Sequence, residues 1–284
     1  MSLQATLDAI VAPPARLQAD PKSVVTLDIE RLPGVARVKH RGLTIEGDFW
    51  DLSGWKHTIG YRIAPADVLE WPRTVCVAWR FYGDKRAGFA SEWADGPAGM
   101  LQAVWDVYDQ ADVVYGHNVD RFDTRHLNTG WRDLGLPAPA PFKIVDTLTE
   151  ARRTFGDESM QLAALTTRLG IATKTDKYSV DVARAACAGN AAAQRKLRAY
   201  NVGDVVASEA FVDRLRGWIP THPHNLQGIN TGVPTCNQCW GDNLSPNGER
   251  LAAVMAYPLF RCDDCGANVQ GRLGRRVASS SGVR

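Results

Sequence analysis

The strongest constraint on this chain is one short stretch, Val24-Val25-Thr26-Leu27-Asp28-Ile29-Glu30. β-Branched and apolar residues run almost unbroken through it, which is the pattern of a strand inside a sheet. Side chains alternate along a strand, so Asp28 and Glu30 point to the same face. Two carboxylates at the end of an apolar strand are costly unless something compensates their charge. Divalent cations would do so, because hard oxygen ligands suit Mg²⁺ and Mn²⁺. An Asp-x-Glu triplet arises often by chance, so the rest of the chain has to decide its meaning.

A length of 284 residues allows one sizeable domain and a small one. The formal charge of +2 is nearly neutral, so a nucleic-acid footprint would have to be a local patch. No apolar run is long enough to span a bilayer, and residues 1–22 lack the basic start and clean apolar core of a signal peptide. The expected location is the cytoplasm, or the host cytoplasm for a phage-encoded chain, with no membrane partner. Four of the six cysteines form two C-x-x-C pairs near the C-terminus, which without an export signal points to metal and not to disulfides. Cys76 and Cys187 lie in apolar or alanine-rich surroundings and are expected to be buried free thiols.

Residues 1–22 read as an N-terminal arm, with a short helix or loose segment that ends at Pro13-Pro14. Strands are expected at 23–30, 74–82, 87–90, 112–115 and 143–145, with a hairpin around 43–50 and 57–63. Pro97 should open a helix to Tyr108 with Met100, Leu101, Val104, Trp105 and Tyr108 on one face. A second helix is expected over 121–134, and 148–216 is nearly all helical, with breaks at Gly156, 170–178 and Gly189. Strands first and helices later predict a mixed α/β domain over 23–217. A linker at 218–234, a cysteine module at 235–270 and a basic tail at 271–284 follow.

Two more acidic elements complete the pattern. In Asn118-Val119-Asp120-Arg121-Phe122-Asp123, the last residue falls in a first helical turn, where a carboxylate is also a plausible cap. Tyr200 and Asp204, four apart on a helix, share a face, and an exposed helical pair is the plainest reading of them. Taken in order, Asp-x-Glu, Asn-x-x-x-Phe-Asp and Tyr-x-x-x-Asp resemble the DnaQ-like (DEDD) 3′–5′ exonucleases. The tyrosine matches that family's tyrosine variant, since Ala199 stands where the histidine variant has His. Trp79 to Asp84, Ser91-Glu92-Trp93 and the paired cysteines are similar to stand-alone phage and bacterial members with a C-terminal zinc ribbon.

The resemblance implies an α/β, RNase H-like mixed sheet flanked by helices. It implies two-metal hydrolysis of nucleic acid from a free 3′ end, DNA more than RNA, releasing 5′-monophosphates. Asp28 would bridge two Mg²⁺ or Mn²⁺ ions, Glu30 and Asp204 would complete one site, and Asp123 would hold the second. Tyr200 would orient the attacking water, because its phenol is a poor base at neutral pH. Asn118 would hydrogen-bond near the terminal nucleotide or stabilise a turn; Phe122 would pack on a terminal base or in the core. His117 is expected to be structural. Arg31 departs from the threonine that many members carry after the Glu. Lys174 and Lys177 are expected in a solvated loop. With no polymerase motifs in the chain, proofreading would need a replication or repair partner.

Cys236, Cys239, Cys262 and Cys265 fit a closed Cys₄ zinc site, whose metal would drive the folding of so small a module. Arg250, Arg261, Arg272, Arg275 and Arg276, with Trp240, Tyr257 and Phe260, offer a nucleic-acid surface, diluted by Asp242, Glu249, Asp263 and Asp264. Protein docking is the competing role. For the whole chain, the rivals to an exonuclease are a structure-specific or RNA-directed nuclease and a non-catalytic adaptor.

Overall fold

β1 (Val24–Leu32) lies at the centre of a five-stranded sheet in the computed structural model. The structure describes residues 24–40, 42–52, 63–171, 178–219, 235–239, 241–252, 254–271 and 273–277. The arm 1–22, most of the expected linker (220–234), Lys174, Lys177, Trp240, Arg272 and residues 278–284 lie outside them.

β5 (Arg73–Phe81) pairs antiparallel with β1 and with β6 (Gly88–Ser91). On the other side β7 (Val113–Gly116) runs parallel to β1, and β8 (Lys143–Asp146) runs parallel to β7. The order is β6-β5-β1-β7-β8, a mixed sheet. β1 is buried on both faces, which explains its near-continuous apolar run. Val25, Leu27 and Ile29 pack under α1 (Glu92–Gln110) and α2 (Asp123–Asp133). α1 bends at Gly96, whose φ of 69° suits glycine, and Pro97 then restarts it with Met100, Val104 and Tyr108 buried. The opposite face is covered by α3 (Thr147–Thr154), α4 (Leu162–Arg168), α5 (Val180–Cys187) and the long α6 (Ala191–Leu215). Arg80 donates both arms of its guanidinium to Glu209 at 2.8 Å, fastening β5 to α6.

The segment after β1 differs from the expected hairpin. β2 (Val35–His40) pairs with β3 (Leu43–Asp48) on one side and β4 (Val68–Glu70) on the other, as a separate three-stranded sheet. Sequence periodicity missed β2 because its residues, Val-Ala-Arg-Val-Lys-His, are only weakly strand-forming and half polar. Residues 57–62 of the expected second strand lie outside the described residues.

β9 (Leu244–Ala252), β10 (Met255–Cys262), β11 (Asn268–Gln270) and β12 (Arg275–Arg276) form a small antiparallel sheet around Cys236, Phe260, Cys262 and Val269. Phe260 is therefore core, which corrects its expected place on a nucleic-acid surface. Arg275 is paired with Glu249, and Arg250 donates to Gln270. Arg261 and Arg276 are exposed. Arg216, itself buried, joins this module to the main domain. Its Nε donates to the carbonyl of Gln238 at 2.8 Å, its Nη1 reaches the Tyr82 hydroxyl at 3.3 Å, and it pairs with Asp213.

Asp146 ties the end of the sheet together. Oδ1 accepts the backbone N–H groups of Leu148, Thr149 and Asn118, and Oδ2 accepts that of Asp120. One carboxylate thus caps α3 and holds the 117–122 loop. Replacing Asp146 with Ala should destabilise the protein by about 2–4 kcal/mol, and Asn should recover part of that loss, as read by urea denaturation.

Candidate metal centres

The acidic site forms where β1 runs past the end of β7. β7 pairs with β1 only as far as Thr26, so the edge of β1 beyond it is left for α2. Asp123, the first residue of α2, fills that place: its Oδ1 accepts the backbone N–H of Ile29 at 3.0 Å. Phe122 holds the N-cap position and Asp123 is the first helical residue, so its carboxylate sits at the start of α2 and at the same time accepts a hydrogen bond from β1. On β1 the alternation turns Asp28 and Glu30 away from the Ile29 face. Just past Glu30 the pairing with β5 shifts: Glu30 faces Cys76 and Arg31 faces Thr74, leaving Val75 unmatched. A bulge there re-aims the strand end beside the carboxylates.

α6 brings the third element. Asn201 is fully buried and its Nδ2 donates to both the backbone oxygen of Asp28 (3.0 Å) and Asp28 Oδ2 (2.7 Å). One turn on, Asp204 is 6% exposed and Glu30 8%, so the pair on α6 is no solvated helix face. Carboxylate oxygens of Asp28, Glu30 and Asp204 all lie within 4.8 Å of one another. Asp123, only 3% exposed, stands beside them, near enough for its charge to act on Asp28. Tyr200 is half-buried and hydrogen-bonded to Asp204, and its ring centroid lies 6.4 Å from that of Tyr178.

The electrostatics of this group are strained in the way a cation would relieve. Burial, with the charges of Glu30, Asp123 and Asp204, holds the Asp28 carboxyl well above the usual carboxylate range, against the hydrogen bond from Asn201. Burial pushes Asp123 up to about 7, although backbone N–H groups favour its charged form. Burial and the charges of Asp204, Glu30 and Asp28 push the Tyr200 phenol up, so it stays protonated. Asn201 Oδ1 is buried with no hydrogen-bond partner among the described residues, a free acceptor at the rim of the cluster. Several hard oxygen donors converging under mutual repulsion fit a divalent cation such as Mg²⁺ or Mn²⁺.

The four cysteines form the second group, with all Sγ atoms within 4.8 Å of one another. Cys236 and Cys265 are 3.6 Å apart at sulfur, and Cys239 and Cys262 are 3.5 Å apart. A disulfide requires about 2.05 Å. The edge of a tetrahedron with Zn–S bonds of about 2.3 Å is close to 3.8 Å, so the observed spacing is that of metal ligands. Backbone N–H groups of Gln238 and Gly241 point at Cys236 and Cys239, as a thiolate would favour.

The other named residues divide. Asn118 has a φ of 70°, unusual for a side-chain-bearing residue, and its backbone N–H donates to Asp146, a geometry that accords with the turn-stabilising alternative. Phe122 packs partly on the core and sets its ring against His126, with centroids 4.8 Å apart. His117 is structural, bonded to the Thr147 hydroxyl and donating to the carbonyl of Met160. Cys76 is buried and Cys187 partly so, and burial pushes both thiols up, Cys187 to about 12. Sequence reasoning gave no role to Asn201, Asp146 or His126. A polar residue on a buried helical turn marks the first, and Ile-Val-Asp-Thr-Leu, a strand running into an N-cap, marks the second; His126 carried no signal. No helix among the described residues is long and apolar enough to cross a membrane.

Neither a comparison with protein-family models nor one with curated proteins finds a match to this chain.

Asp28 and Asp123 hold protons more tightly folded than unfolded, where an Asp titrates near 3.9. Between about pH 4 and 7 the unfolded chain therefore binds fewer protons, and the stability of the divalent-free protein should fall as pH rises. Thermal melts at pH 5 and 8 should show this loss, Mg²⁺ or Mn²⁺ should reverse it at pH 8, and Asp123→Asn should flatten it. Stripping zinc with a strong chelator should free four titratable thiols and unfold the cysteine module, seen as lost chemical-shift dispersion for residues 235–277.

Proposed function

We propose that this chain is a metal-dependent nuclease of the RNase H-like, DnaQ-like type, removing nucleotides from the 3′ end of a strand, with DNA its expected substrate. One observation carries the reading: a strand and a helix 173 residues apart in sequence, bound Asn201 to Asp28, bring three carboxylates within 4.8 Å, with Asp123 beside them. A mixed sheet with helices on both faces, and the acidic residues at one end of its central strand, supports the same reading.

Asp28, Glu30 and Asp204 would hold one cation, and Asp28 with Asp123 a second. Such ions would supply positive charge to the attacking and leaving oxygens and acidify a water. The protein's own part is placement. Asn201 fixes the Asp28 carboxylate by gripping it at two oxygens, one of them on the backbone. The Ile29 N–H does the same for Asp123. Tyr200, protonated and anchored on Asp204, can orient a water but cannot take its proton. The water oxygen bonds to phosphorus, the bond to the 3′ oxygen of the penultimate nucleotide breaks, and a 5′-monophosphate leaves.

The test uses oligonucleotides labelled at the 5′ end, as single-stranded DNA, duplex DNA and RNA. The expected result is a descending ladder that needs Mg²⁺ or Mn²⁺, vanishes with Asp28→Ala and stops at a blocked 3′ end. Tyr200→Phe should lower kcat by about 10²-fold while leaving metal affinity unchanged. Internal cuts past a blocked end would point instead to an endonuclease, and no cleavage with both metal sites filled would falsify the enzymatic reading.

A further inference from the structure

Beside the acids sits a cation with no carboxylate partner among the described residues. Arg31 follows Glu30 directly and is partly buried. Its Nη1 donates to His126 Nε2 at 2.9 Å, so that nitrogen carries no proton and the imidazole is neutral. The Arg31 Nε is buried with no hydrogen-bond partner among the described residues. Two nearby arginines on β5 are treated differently: Arg73 is matched by Glu92 and Arg80 by Glu209, each through two hydrogen bonds. A guanidinium partly withdrawn from water without a counter-ion carries a cost, and this one follows Glu30 directly in the chain.

Its placement is regular. Ile29 and Arg31 are two apart on β1, and Asp123 and His126 are three apart on α2. The Ile29–Asp123 and Arg31–His126 bonds are therefore successive rungs between one strand and one helix, roughly 6–7 Å apart along the strand. The first rung carries a metal-binding carboxylate. The second carries a positive fork, steadied by an imidazole that takes none of its charge, with the Phe122 ring against that imidazole. A carboxylate cluster repels a polyanion, and a bidentate guanidinium is the group best matched to phosphate.

We propose that Arg31, oriented by His126, binds a phosphate of the nucleic-acid strand whose end lies at the acidic cluster. This rests on the nuclease reading above, and the experiment separates the two. Full-length, zinc-loaded protein carrying Asp28→Asn is titrated against a fluorescent single strand at several NaCl concentrations, without turnover. Adding Arg31→Gln should weaken binding about tenfold and reduce the slope of log affinity against log salt by about 0.7, the share of one phosphate on a single strand. Arg31→Lys should keep the slope. His126→Ala should lower affinity with the slope unchanged, since it removes orientation and no charge. Comparing 3′-hydroxyl with 3′-phosphate strands locates the contact: an extra loss on the phosphorylated end assigns it to a terminal phosphate, an equal loss to the backbone. Strand binding that Arg31→Gln leaves unaltered in affinity and slope overturns the proposal alone. Absence of strand binding by the parent overturns the nuclease reading with it. Thermal melts check folding, and should Arg31→Gln melt early, the Lys and His126 variants decide.

Discussion

Mutual repulsion among buried carboxylates is the constraint that the architecture at the end of the central strand has to meet. Asp28, Glu30 and Asp204 are held close with Asp123 at their side, in an environment that penalises each charge. Such a group survives only if the scaffold grips each member separately. Here the grips are distinct: the amide of Asn201 on Asp28, the backbone N–H of Ile29 on Asp123, the phenol of Tyr200 on Asp204. The apolar packing of β1 from both faces makes the grips possible. Val25, Leu27 and Ile29 on one side and Val24 on the other contribute burial worth roughly 1.5–3 kcal/mol each. Hydrophobic free energy stored in the strand thus sets against electrostatic cost at its end.

The same division explains what could be read without coordinates. β1, β5 and the late helices were legible because their apolar patterns are long and glycine or proline follows them, and β7 and β8 because short runs of apolar, β-branched residues stand between helical segments. Asp28 and Glu30 were legible because period-2 alternation alone puts them on one face. That Asp204 joins them was a matter of resemblance, since no local rule brings position 204 to position 28. Asn201 was hidden for a related reason: its role exists only through contact with a strand far away in sequence. β2 was missed because a small polar-faced sheet has little hydrophobic pattern to show. Phe260 was misplaced because a composition of arginines and aromatics says nothing about which aromatic turns inward.

The two metal-ligand groups differ in what holds them. Among the described residues the apolar cluster of the cysteine module is built on four buried side chains, two of them cysteines themselves, so ligand and core are nearly one thing. The carboxylates sit at the margin of a large core that does not need them. An ion held by the first group would be part of what folds its module, whereas one held by the second would relieve repulsion at the edge of a core that forms from other residues.

The buried Arg216 gives the molecule a further mechanical property. It grips the first cysteine knuckle through Gln238 and the sheet through Tyr82, and it stands one residue past the end of α6. Asp204 lies twelve residues back along that same helix, about 18 Å at 1.5 Å per residue. A helix of this length behaves as a stiff rod, so the cysteine module at its C-terminal end and the acidic cluster at its middle hang from one beam. Load applied to the small C-terminal sheet is delivered along that helix towards Asp204, so the sheet acts as a handle on the acidic cluster.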